Sequence, residues 1–150
     1  MAVGDPCAFP SPGHDHGRCV ADAMAAAQAE CARSGGRLTP LRRRVLELIW
    51  GGHGPVGAYS LLAALREEGL NAQPPTVYRA LDFLLEQGLV HKLQRLNAYV
   101  GCCRPGEQHA GQFLICLDCG RAAELNDPAI VATVEAGAAR LGFSVTRQTV

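Results

Sequence analysis

The chain has few aromatic residues and no excess of charge of either sign. Aromatics are 5% of its 150 residues, with a single tryptophan, and 14 basic residues balance 14 acidic ones. A zero balance gives no support to a general nucleic-acid binder, a membrane-surface protein or an acidic tail. Long apolar runs are missing too, and no stretch approaches the roughly 18 residues of a membrane span. Residues 1–13 have neither a basic start nor an apolar run, so no secretory signal is expected and the chain reads as cytoplasmic. There is also no Ser/His/Asp set, no paired-carboxylate cleft motif and no phosphate-cradling glycine loop, so no enzyme is indicated.

What is present is a globular balance, 48% hydrophobic and 19% charged, which excludes wholesale disorder. The length suits one ordinary domain or two small ones. Seven cysteines are many for this size, and an odd count cannot pair completely within the chain. In a reducing compartment, cysteines at short spacing are more often metal ligands than staples.

Residues 1–19, rich in Gly, Pro and His, read as a flexible tail. Residues 20–34 are alanine-dense and helical, stopped by Gly35-Gly36. Thr39-Pro40 caps a second helix, with Leu41, Val45, Leu48 and Ile49 at helical spacing. A third runs from about Ala58 to Glu68. Asn71 to Pro75 reads as a turn, and Thr76 to Gln87 as a fourth helix with Val77, Leu81, Leu84 and Leu85 in its stripe. After Gly88 the period falls from 3.6 to 2, and Leu89–Leu93 and Ala98–Cys102 read as strands joined near Asn97. Helices followed by a two-stranded ribbon give a winged helix-turn-helix over residues 20–102. Residues 103–112 read as a linker. Residues 113–150 hold two short strands, a helix over Pro128–Leu141 and a last strand over Phe143–Val150. A unit this small needs a partner copy, a metal, or both. The expected class is therefore α+β: an N-terminal winged helix-turn-helix domain, then a small α/β dimerisation domain.

Three groups of residues carry chemistry. Thr76, Tyr78 and Arg79 open the helix that would read base edges, and Tyr59 sits where backbone contacts are usual. From Arg37 to Lys92 there are seven basic and five acidic residues, a modest local excess of +2. A plain three-helix core with an incidental surface Arg and Tyr is the competing reading. Cys116-Leu117-Asp118-Cys119-Gly120 is a knuckle whose two thiolates can share one tetrahedral Zn²⁺. Its rival is a redox pair, although no βαβ unit surrounds it. The third set, His91, Cys102, His109 and Glu124, is dispersed, and each member alone has an ordinary structural explanation. His53 and the His14-Asp15-His16 run carry no motif and are given no role.

Three stretches, LTPLRRRVLELI, AYSLLAALREEGLNAQPPTVYRALDFLLEQGLVHKLQRLNAYVGC and FLICLDCGRAAEL, resemble the ferric uptake regulator family and, within it, the zinc uptake regulators. The resemblance spans about Cys19 to Val150. It implies a dimeric, zinc-responsive repressor of zinc-uptake genes that binds a palindromic, A·T-rich double-stranded operator and not a membrane. It implies that His91, Cys102, His109 and Glu124 form a regulatory zinc site, that Cys116 and Cys119 are half of a structural zinc site, and that Tyr59, Thr76, Tyr78 and Arg79 face DNA. The family pattern puts two more structural cysteines past the last strand, where this sequence stops. Cys103, Cys31, Cys19, His14 and His16 are conceivable substitutes, and spacing favours none of them. A sister sensor of iron, manganese, nickel or peroxide is the near alternative. A non-DNA zinc or redox protein is the distant one.

Overall fold

A computed structural model of the chain describes residues 13–107, 109 and 111–146. Its elements run α1 (His16–Ser34), α2 (Pro40–Trp50), α3 (Ala58–Glu67), α4 (Pro74–Glu86), β1 (Val90–Leu93), β2 (Ala98–Gly101), β3 (Gln112–Ile115), β4 (Ala122–Leu125) and α5 (Pro128–Arg140).

Local chemistry sets the helix ends. The Thr39 hydroxyl accepts from the Arg42 N–H at 3.4 Å, and Pro40 occupies the first position of α2. Pro74 and Pro75 belong to α4 rather than to a turn before it. Neither proline costs a hydrogen bond there, because the first N–H groups of a helix have no partner within it. α1 begins at His16, so residues 16–19 are helical and not tail, while residues 1–12 lie outside the described residues. Asp15 accounts for the early start, since its carboxylate accepts from the Arg18 N–H at 3.0 Å.

The first unit closes around one apolar core. α4 buries Val77, Ala80, Leu81 and Leu84 against Val45, Leu46 and Ile49 of α2 and Leu61 and Leu65 of α3. α1 adds Met24, Ala27 and Cys31. Antiparallel β1 and β2 form the wing, with His91 opposite Val100. A one-turn 3₁₀ helix at Gln94–Leu96 and the left-handed Asn97 (φ 46°) make its turn. Val56 adds a bridge to Tyr99, so the loop between α2 and α3 is tied to the wing.

The second unit is thinner. β3 and β4 pair antiparallel, with Phe113 opposite Glu124, and no residue of α5 is buried. No strand covers residues 143–146, and residues 147–150 lie outside the described residues. Phe143 is used instead to close α5. Its N–H donates to the Ala138 carbonyl at 2.9 Å and that of Gly142 to Ala139 at 3.1 Å, with Gly142 at φ 79°. None of the described helices is long and apolar enough to cross a membrane.

Candidate metal centre and nucleic-acid interface

Four side chains distant in sequence meet where the two units join. His91 comes from β1, Cys102 follows β2, His109 lies in the connection, and Glu124 comes from β4. One potential ligand atom from each lies within 4.8 Å of all the others. His91 Nε2 is 3.1 Å from Glu124 Oε1 and 3.3 Å from His109 Nε2, and Cys102 Sγ is 3.5 Å from His109 Nε2. His109 Nε2 also contacts Glu124 Oε1.

The surroundings orient this set. His109 Nδ1–H donates to the Glu107 carbonyl at 2.7 Å, which leaves the Nε2 lone pair facing inward. The Cys103 N–H donates to Glu124 Oε2 at 3.2 Å and fixes the carboxylate. Phe113 stacks edge-on against His91, and a Cβ on Gly111 would come within 3.2 Å of His91 Nδ1. Burial pushes the Cys102 thiol up to about 12, with the Glu124 charge adding to it. Burial also pushes the Glu124 carboxyl up, but the close His91 imidazole, the Cys103 N–H and His109 outweigh it and hold it below the ordinary range.

The donor set fits a cation. Glu124 Oε1 is buried and finds no well-aligned hydrogen-bond donor, although two imidazole nitrogens crowd it. Lone pairs converging on one point repel unless a positive charge sits among them. Two imidazoles, one thiol and one carboxylate match tetrahedral Zn²⁺ better than the oxygen-rich sets of Mg²⁺, Ca²⁺ or Mn²⁺.

The knuckle is formed as a tight turn. The Gly120 N–H donates to the Cys116 carbonyl at 2.9 Å, with Gly120 at φ 71°. Backbone N–H groups of Cys119 and Asp118 point at the Cys116 sulfur and lower its thiol. Among the described residues this pair joins no third ligand. Cys31 is sealed in the core, Cys103 lies beside Glu124, and Cys19, His14 and His16 gather elsewhere.

That other gathering is one the sequence reading missed. His14, Cys19 and His53 form a second group with ligand atoms within 4.8 Å, and His16 leans on His53. The available signal was the H-x-H-x₂-C spacing across the start of α1, but His53 lies 39 positions from His14.

The other predicted residues lie in the first turns of α3 and α4. Tyr59 and Tyr78 flank a shallow apolar depression between the starts of α3 and α4, lined also by Pro74 and Val77. Tyr59 is 74% exposed, Arg79 is exposed, and Thr76 is half-buried. The neighbouring arginines are committed: Arg44 to Glu68 and Glu47, Arg43 to Glu47, and Arg42 over the Phe83 ring at 3.7 Å. Arg79 makes no ion pair among the described residues.

Residues 33–150 match the ferric uptake regulator family. The zinc uptake regulation protein of Escherichia coli (strain K12) is 43% identical over 123 residues, covering 81% of this chain and 72% of that protein. A zinc uptake regulator complexed with zinc and DNA superposes with a TM-score of 0.79 at 41% identity, covering 86% of this chain and 87% of that one. Holo XcZur gives 0.76 at 46% identity, over 87% of this chain and 91% of that one. Apo XcZur, at 48% identity, gives only 0.55 over 83% and 86%.

Proposed function

Because the chain belongs to the ferric uptake regulator family, we infer that it is a zinc-responsive repressor that binds operator DNA as a homodimer in the cytoplasm and catalyses nothing. One observation carries this reading: a buried two-imidazole, thiol and carboxylate set draws its members from both units, downstream of an exposed helix start. In this reading His91, Cys102, His109 and Glu124 hold the regulatory Zn²⁺. Residues 20–102 are the DNA-binding domain, 103–112 the hinge, and 113–150 the dimerisation and metal-binding domain. Cys116 and Cys119 supply two ligands of a structural zinc. The genes repressed are those for zinc uptake.

The chain's own residues do the work of coupling. Bound zinc would supply a double positive charge that offsets the Glu124 carboxylate and the Cys102 thiolate in a partly buried site. His91 and Cys102 belong to the wing and Glu124 to β4, so ligating together they hold the winged domain at one angle to the dimer body. That angle selects the arrangement in which two recognition helices reach successive major grooves. Closer agreement with the holo than with the apo form of XcZur supports this. Thr76, Tyr78 and Arg79 then meet the groove, with Arg79 free to fork onto a guanine and Tyr59 placed at the backbone. The apolar side chains that the second unit leaves exposed, Leu114, Leu117 and Phe143 among them, suit burial against a second copy.

Fluorescence anisotropy of a palindromic, A·T-rich duplex under buffered free zinc tests the reading. Zinc should tighten binding and a chelator should release the duplex. Binding indifferent to zinc, or equally promoted by Fe²⁺ or Mn²⁺ alone, overturns it.

A further inference from the structure

We propose that His14, Cys19 and His53, with His16 beside His53, form a second site for a divalent cation of borderline softness, Zn²⁺ foremost, separate from the His91 cluster. His53 Nε2 lies 2.9 Å from His14 Nε2 and 2.8 Å from His16 Nδ1. A single ring nitrogen carries at most one proton, so it cannot donate to both neighbours. The geometry is thus poorly served by hydrogen bonds and well served by a cation.

The tautomer of His16 is set for ligation. Its Nε2–H donates to the Gly51 carbonyl at 2.7 Å, so the Nδ1 lone pair points at His53. Cys19 brings sulfur within 4.8 Å of the His14 and His53 ligand atoms. Bonds of about 2.0–2.1 Å to nitrogen and 2.3 Å to sulfur separate tetrahedral ligands by roughly 3.3–3.6 Å, so small side-chain shifts would seat an ion. Asp15 caps α1, and His16 and Cys19, three apart in the first turns, share one helical face. His53 itself sits at φ 52°, where non-glycine residues are uncommon. Imidazoles and a thiol favour zinc over the hard oxygen-seeking cations.

An ion there would pin the start of α1 to the loop between α2 and α3. That loop also touches the second unit. The His53 carbonyl accepts from the Ala122 N–H of β4 at 2.9 Å, and a Cβ on Gly54 would come within 3.0 Å of the Gly120 carbonyl. The second site would thus fasten the N-terminal helix to the loop that hydrogen-bonds β4, the strand that carries Glu124 of the first cluster. The proposal does not depend on the regulatory reading.

Native mass spectrometry of the full chain titrated with ZnCl₂ tests it. His53→Ala and Cys19→Ser should each bind one zinc fewer than the wild type. Cys102→Ser should lose a different one, and Cys19→Ser combined with Cys102→Ser should lose two. In the wild-type protein, zinc should slow iodoacetamide alkylation of Cys19 several-fold, read by peptide mapping, and this needs no variant to fold. An unchanged zinc count in both single variants, or Cys19 alkylation indifferent to saturating zinc, overturns the second site. Loss of zinc-dependent DNA binding in Cys102→Ser alone would leave the regulatory reading standing in that case.

Discussion

The two units differ in what they bury. The winged half closes over leucines, isoleucine and valines, many of them 0–1% exposed. Among the described residues from 112 to 146, only Gln112 and Glu124 are buried, and both are polar. One half is held by its own apolar core. The other buries polar atoms that lack good partners at the junction, while its apolar side chains face outward. The first closes on its own apolar core, whereas the second has the features that an ion at the junction and a surface against it would complete.

The largest expected effect comes from breaking the finished half. Leu81 is fully buried, and Leu81→Ala leaves a cavity bordered by α2, α3 and α4. It should cost about 2–5 kcal/mol of unfolding free energy, read as a lower denaturant midpoint, whether or not zinc is present. A cost that vanishes with zinc would mean the winged core depends on the metal, and the contrast between the units would fall.

Removing the metal attacks the other half. Chelation should weaken operator binding by about 1–3 kcal/mol, a roughly 5–150-fold change. Hydrogen exchange should speed up in Gln112–Ile115 and Ala122–Leu125 while α4 amides stay protected. Cys102→Ser should reproduce the loss of zinc response and keep the dimer, checked by light scattering. If the variant unfolds outright, Cys102 holds the fold together rather than switching it. Arg79→Ala should cost about 1–3 kcal/mol of operator affinity and relax base preference at one position. An equal loss on every sequence would reduce Arg79 to a phosphate contact.

The contrast also explains what was legible in the sequence. The winged half announces itself locally: Thr39-Pro40 starts a helix, and Val77, Leu81 and Leu84 recur on one face. The helix starts at Pro74 and His16 differ from the sequence expectation because Pro74-Pro75 resembles a break and the short Asp15 cap carries no strong signal, although both favour helix starts. Phe143 carries strand propensity, yet the Schellman closure of α5 claims its N–H. The metal groups are legible only in space. No periodicity links His91 to Glu124 or His14 to His53, and only the family resemblance joins the first four into one site. The second set had no such help. The zero net charge likewise hid a pattern, because Arg42, Arg43 and Arg44 are engaged locally and Arg79 is not.

The smallest effect, and the sharpest on mechanism, is the pH dependence of zinc binding. Burial and the nearby Glu124 charge push the Cys102 thiol up to about 12, so without metal it is protonated at neutral pH. Zinc held at the proposed site would take the thiolate, and binding would release that proton. Glu124, held below the ordinary carboxyl range, is already ionised and releases none. From pH 8 to pH 7 the zinc Kd should therefore rise about tenfold, roughly 1.4 kcal/mol, measured by competition with a chromophoric chelator. In the metal-free protein the same thiol works in the opposite sense. Its folded value lies above the unfolded one, so its contribution to stability is complete below about pH 8.5 and is lost as pH rises toward 12. Cys102→Ser should flatten both trends, whereas Leu81→Ala should flatten neither. A zinc affinity that ignores pH between 7 and 8 would mean that the ion does not take its thiolate from this buried cysteine.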